Sequence, residues 1–472
     1  MPKINKPIVL LVLLFILSII FFFYIYFLLN VTNSVISTSL KGESQRFEKA
    51  VNTLNRLTLG YFQVPKLFEN MNGRILILFQ NNYELRPSGG FMGSFAILNI
   101  KKGVVTDFEI QDIYQPDGQI VGHIEAKLPI QQAFKTGEWR LHNANWELDF
   151  ADSANDILWF FKTAGISDID TVVAINMGIV QNILSVVGPV DPLDFPENEV
   201  DQNNFYQITQ RYSEEDFFPG SIKKKSFLSS LANALIERIS RGNTREKLYL
   251  LKLIYEQLKD GQILIYSNNP KLAEFVAEND YDGKIKSGKD DYLYIVNSNL
   301  GSNKADCCID RKIVHEIQNK DGTLREKLNI SYENKSTHTD PQKSKSWGGD
   351  YQNYLRIVLP IDSIVENVFV NGKEYVLNNN QTIESLPEIS ADFSYKIETK
   401  DGYQTVGFWV TVPIGQKNDV QLSYSRQQKN KNYKLLINKQ PGLYNQNYSM
   451  IYNGIETDLI LSKWKNYFFP KD

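Results

Sequence analysis

Between two apolar runs, at residues 75–79 and 95–100, lies a polar turn rich in glycine: Asn81, Asn82, Glu84, Arg86, Ser88, Gly89, Gly90 and Gly93. Runs of that length read as buried strands. Glycine at the end of a buried strand permits positive φ or close backbone approach. Free N–H groups there can then face an anion. A glycine-bearing hairpin loop with one solvated arginine fits the same residues equally well, because glycine is ordinary turn punctuation. Further on, Arg211 follows an aromatic-bearing helix, and Lys223, Lys224 and Lys225 open another that runs to Ile239. Cations at a helix start oppose the macrodipole, so a bound anion is one reason for them and a solvated lysine run is the other.

Other chemistry is hard to find. The chain has no GxSxG, Walker A, HExxH or paired CxxC motif. His123, His142, His315 and His338 are scattered without zinc-ligand spacing. The two cysteines, Cys307 and Cys308, are adjacent. A bond between neighbours is strained, so no disulfide framework is readable; metal binding, pairing between chains, and two small side chains in a strand are the alternatives. A net charge of −3 over 472 residues gives no sign of bulk nucleic-acid binding.

The elements that must position these residues follow in order. Residues 1–7 carry Lys3 and Lys6, and residues 8–29 are free of charge. Such a run spans a bilayer core of roughly 30 Å as a helix, and the preceding lysines place the N-terminus in the cytoplasm. The expectation is an uncleaved signal anchor with everything beyond it extracytoplasmic. Residues 30–72 read as a helical stalk, with Phe47, Val51 and Leu54 at helical spacing. From 73 to 304 strands and helices alternate, pointing to an α/β or α+β domain. Within it, Asp152 is expected to cap a helix, a strand is expected at 171–175, and Pro116, Asp117 and Gly118 form a turn. From 305 to 472 short alternating strands recur, with Asn371-Gly372 between two of them, which suggests an all-β sandwich of roughly immunoglobulin type.

The run FQNNYELRPSGGFMGSFAILNIKKG resembles an uncharacterised family of bacterial membrane-anchored proteins, domain of unknown function 4012. The resemblance continues through DIDTVVAINMGIVQNILSVVGPV and DYLYIVNSNLGSNKAD to NYLRIVLP and INKQPGLYNQNYSMIY. More distantly, the order of elements is similar to that of the LytR–CpsA–Psr phosphotransferases, which move glycopolymers from polyprenyl pyrophosphate onto the cell wall. That resemblance implies a LytR–CpsA–Psr-like domain. Arg86, Gly89, Gly90, Arg211, Lys223, Lys224 and Lys225 would bind phosphate, and Asp112 would serve as catalytic residue and Mg²⁺ ligand. Ser88 stands where the family's pattern has an aspartate, and lysines stand where it has arginines. Two functions are carried forward: a glycopolymer phosphotransferase, and a non-catalytic envelope protein that binds carrier lipid or cell-wall polysaccharide. A third, purely structural or adhesive surface protein makes the first motif a packing turn. The non-catalytic binding reading predicts that the groove is narrow or filled, or that its charges are tied up in internal salt bridges.

Overall fold

The computed structural model describes residues 63–101, 104–197, 199–214, 223–285, 291–337, 347–378, 393–429 and 432–470. The expected membrane span at 8–29 lies outside them, as does nearly all of the stalk. Among the described residues no helix is long and apolar enough to cross a membrane.

Helix α1 (Gln63–Asn70) leads into strands β1 (Gly73–Asn81), β2 (Phe91–Lys101) and β3 (Val104–Asp112). Helices α2 (Tyr114–Asp117), α3 (Leu128–Phe134) and α4 (Phe150–Thr163) follow, then β4 (Thr171–Asn176) and α5 (Gly178–Val187). Next come α6 (Phe205–Glu214), α7 (Lys223–Arg241), α8 (Thr244–Lys259), β5 (Ile263–Ser267) and α9 (Pro270–Glu278). The first sheet has the order β3-β2-β1-β4-β5, with β1 parallel to β4 and antiparallel to β2. Alternate side chains of a strand point to opposite faces. Leu76 and Leu78 therefore pack with Phe95, Val172 and Ile157 of α4, while Ile75 packs on the other face with Val64 of α1, Ile179 of α5 and Leu272 of α9. Both faces of β1 are covered, which is why it reads as one unbroken apolar run. The cap of α4 is Asp149, whose side chain accepts from the Ala151 N–H at 3.1 Å; Asp152 falls instead in the first turn. The Pro-Asp-Gly sequence belongs to α2 and the Gly118 that ends it, not to an open turn.

The second sheet is larger. It begins with β6 (Asp291–Val296), which lies before residue 305, and then takes β7 (Ile309–Lys320), β8 (Thr323–Asn334), β9 (Tyr351–Pro360), β10 (Ile364–Val370) and β11 (Lys373–Leu377). It continues through β12 (Ser394–Lys400), β13 (Tyr403–Val412), β14 (Lys417–Gln427), β15 (Leu435–Asn438), β16 (Gln446–Tyr452), β17 (Ile455–Leu461) and β18 (Lys465–Phe468). Among the described residues these 13 strands form one sheet, β17-β16-β7-β8-β14-β10-β11-β12-β13-β9-β6-β15-β18. The expected pair of separate sheets is joined because β11 hydrogen-bonds antiparallel to β10 and parallel to β12. One core takes Ile313, Leu328 and Val420 from one half of that order and Leu355, Val406 and Ile437 from the other, so the halves face each other across it. Asn371 and Gly372 have φ of 49° and 74°, the left-handed pair that a two-residue hairpin between β10 and β11 requires. From Val64 onward the chain is one compact unit, and the architecture is mixed α/β.

Candidate functional site

The turn after β1 does not stand open. Gly89 has φ of 134°, and its N–H donates to the Arg86 carbonyl at 2.9 Å. A Cβ at Gly90 would lie 2.3 Å from the Asn81 carbonyl. The glycines thus let the chain fold tightly on itself, and the Gly89 N–H is already engaged. Gly90→Ala is expected to lower stability by about 1–3 kcal/mol through overpacking, read as a drop in the midpoint of denaturant unfolding at unchanged m-value.

Arg86 is 1% exposed. Its guanidinium pairs with Glu84 at 3.1 Å and donates to the Leu85 carbonyl at 3.1 Å, to the Asn299 carbonyl, and to Asn143 Oδ1 at 3.4 Å. Glu84 also accepts from Lys304 at 3.4 Å. The backbone around Arg86 is held from the second sheet's side. The Asn299 N–H donates to the Leu85 carbonyl at 3.0 Å, the Leu85 N–H to Asp306 at 2.9 Å, and Gln440 Nε2 to the Arg86 carbonyl at 3.1 Å. Gln440 also bonds both the N–H and the carbonyl of Asn297, at 2.8 and 2.7 Å. Asn176, the last residue of β4, lies so close to Gly89 that an added Cβ there would meet its side chain at 2.2 Å. Asn145 donates to Ser88 and to the Gly90 carbonyl at 3.0 and 2.8 Å. Phrases far apart in the chain therefore converge on this one turn.

Beside it lies a largely buried group of charges. Asp112, the last residue of β3, accepts from the Tyr114 N–H at 3.0 Å and from Lys224 Nζ at 3.2 Å. Lys224, in the first turn of α7, also donates to the Gly93 carbonyl at 2.7 Å. Burial pushes the Lys224 pKa down, and the Asp112 charge opposes that shift. Tyr114 is pushed up to about 12, chiefly by burial and then by the charges of Glu84, Asp112 and Asp117. His142 Nδ1 lies 2.8 Å from Asp117, whose other oxygen accepts from the Leu141 N–H at 2.8 Å. The rings of Phe91 and Tyr114 sit 5.8 and 5.1 Å from that of His142. Three carboxylates (Glu84, Asp112, Asp117) and three cations (Arg86, Lys224, Lys304) make the group electrically balanced.

The remaining candidates spread outward. Lys225 pairs with Glu109 at 3.2 Å. Lys223 is exposed at the start of α7. Arg211 is exposed in the last turn of α6, its guanidinium 5.2 Å from the Tyr212 ring centroid. Tyr206 of the same helix reaches the turn itself, donating to Asn82 at 2.6 Å and stacking on Tyr83 at 4.4 Å. Among the described residues no three His, Cys, Asp or Glu side chains group as metal ligands, and an ammonium occupies the position beside Asp112. Cys307 and Cys308 are bonded to each other in the 3₁₀ turn Ala305–Cys308 that precedes β7, rather than lying in a strand.

Sequence reasoning did not assign Lys304, Asp306, Asn299, Gln440, Tyr114 or His142 to the site. The one signal for Asn299, Lys304, Asp306 and Gln440 was the density of asparagine and glutamine at the ends of buried strands, in NSNLGSNKAD and INKQ; nothing comparable marks Tyr114 or His142. Polar residues there have buried partners to meet.

Residues 71–213 match the family model for "Protein of unknown function (DUF4012)". The DUF4012 stretch holds Glu84, Arg86, Asp112, Tyr114, Asp117 and His142, while Lys224, Asn299, Lys304 and Gln440 come from beyond it. Comparison with curated proteins finds no match. Similar solved structures include protein gbs0355 from Streptococcus agalactiae, at 13% identity over 46% of this chain and 75% of that one, with a TM-score of 0.30. TagV of B. subtilis is 12% identical over 46% of this chain and 85% of its own, with a TM-score of 0.24. Lin1025 from Listeria innocua is 8% identical over 46% and 81%, also at 0.24. Likenesses this weak support no argument about function.

Proposed function

We propose that this chain is a membrane-anchored, extracytoplasmic protein of the bacterial cell envelope that binds an envelope component without transferring it. The uncharged run at 8–29, with lysines before it, supports the anchor and its orientation. The observation that carries the non-catalytic reading is the engagement of the charges that phosphoryl transfer would need. Arg86 is buried against Glu84, Lys224 clasps Asp112, and Lys225 faces Glu109. A phosphotransferase stabilises charge that develops on phosphate oxygens, using cations and metal aimed at the substrate. Cations already paired with carboxylates of the same fold contribute little of that. Lys224 uses two of its three donors internally, and its remaining N–H and Lys304 suit a phosphorylated carrier-lipid headgroup held without metal.

The test uses the full chain in lipid nanodiscs with a polyprenyl pyrophosphate. Binding is expected to be equal in MgCl₂ and in EDTA, to weaken at least tenfold in Lys224→Gln, and to be accompanied by no pyrophosphate cleavage. Mg²⁺-dependent binding with cleavage, both lost in Asp112→Asn, would contradict the reading and restore the phosphotransferase.

A further inference from the structure

A cavity of about 220 Å³ lies between α3 and strands β9, β12 and β13. Its walls include Lys127, Trp146, Glu147, Tyr354, Arg356 and Trp409. None of these belongs to the group around Arg86.

Arg356 is the unusual member. It is 5% exposed, its guanidinium stacks 4.2 Å from the Trp146 ring centroid, and its Nη2 donates to the Trp146 carbonyl at 2.8 Å. Its Nε is buried with no hydrogen-bond partner. Among the described residues no carboxylate forms an ion pair with it; the nearby Glu147 is paired with Lys127 at 3.1 Å. Arginine stays charged in proteins, and Glu147 and Glu398 act on this one only from beyond ion-pair distance, so its burial is incompletely compensated. The walls explain what else the cavity can hold. Trp146 and Trp409 are largely buried and present aromatic surface, and the Trp409 indole N–H is fixed by Gln132 at 2.9 Å. Lys396 and Glu398 of β12 add one donor and one acceptor to the Lys127–Glu147 pair at the lining. Apolar faces beside convergent donors and acceptors suit a ring that is apolar on its faces and hydroxylated at its edge. The volume is below that of a site for a drug-sized molecule, about 300–1,000 Å³, which limits the guest to one ring.

We propose that this cavity binds an acidic sugar unit, a hydroxylated ring bearing a carboxylate or a phosphate. The anion meets Arg356, the ring lies against the tryptophan walls, and the hydroxyls meet the lysines and glutamates of the lining. The carboxylate and the phosphate share this chemistry, and the assay separates them. The proposal does not rest on the carrier-lipid reading, since the two sites share no residue.

The experiment is a calorimetric titration, backed by tryptophan fluorescence, of the full chain in detergent with glucuronate, glucose 1-phosphate and glucose. At least one acidic sugar is expected to bind saturably and at least tenfold more tightly than glucose, and Arg356→Gln is expected to weaken it at least tenfold. Circular dichroism checks that the variant folds. If it does not fold, Lys396→Glu replaces it, with an expected loss of threefold or more. No saturable binding of either acidic sugar, equal binding of glucose, or unchanged affinity in a folded variant overturns the proposal.

Discussion

Arg86→Ala lowers the free energy of unfolding by about 3–5 kcal/mol, the cost of leaving one partner of a buried ion pair uncompensated. Glu84 then keeps only Lys304, at 3.4 Å, as a counter-ion. The Leu85 and Asn299 carbonyls and Asn143 lose a donor at the same time. Since those groups come from connections beside both sheets, the loss is expected in a single cooperative transition, read from denaturant midpoints at constant m-value. The double substitution Glu84→Gln with Arg86→Met is expected to cost clearly less than the sum of the two single changes, because neither Arg86 nor Glu84 is then left as a charge without the other. A loss below about 1 kcal/mol for Arg86→Ala is what an arginine gripping an external phosphate would give, and it would argue against the structural role.

The second large effect is expected inside the 13-stranded sheet and depends on pH. Asp291 accepts from Arg426 at 2.9 Å and from the Tyr433 hydroxyl at 2.7 Å. Glu326 accepts from Tyr424 at 2.8 Å and lies 3.0 Å from His315 Nε2. Burial pushes both Asp291 and Glu326 up to about 7, and pushes His315 down to about 4. The raised carboxyls contribute stability that is fully present below their unfolded pKa near 4 and is lost as pH rises through about 7. His315 acts oppositely: its contribution is present above about 6.5 and is lost as pH falls through about 4. Arg426→Met removes the cation that opposes the upward shift of Asp291. The variant is therefore expected to lose about 3–5 kcal/mol at pH 8, where Asp291 must either stay a buried anion without its cation or take up a proton against the solution pH. At pH 5, where Asp291 carries its proton, the loss is expected to be markedly smaller. Unfolding curves of both proteins at the two pH values check this, and a loss independent of pH would show that Asp291 does not titrate in that range.

The local parts of this architecture were legible in the chain. The ILILF run announced β1 because both faces of that strand are buried, and Asn371-Gly372 announced its hairpin because few other pairs tolerate two left-handed residues. Asp152 was the wrong cap because Asp149, three residues earlier, has the side chain aimed at the first free N–H. The fate of Arg86 was not legible. Its backbone and side-chain partners Asn299 and Gln440 lie 213 and 354 positions away, so nothing in the local pattern separates an arginine facing a ligand from one facing its own fold. β6 shows the same limit. Its six buried residues suit either sheet, and only pairing with β9 and β15 assigns it to the second.

Arginine-selective modification with phenylglyoxal, mapped by mass spectrometry on the native full-length chain, measures directly whether Arg86 faces solvent or fold. Arg86, 1% exposed, is expected to stay unmodified while exposed Arg211 reacts, and to react only after denaturation. Native modification of Arg86 at the rate of Arg211, suppressed by added polyprenyl pyrophosphate, would contradict the structural role of this turn.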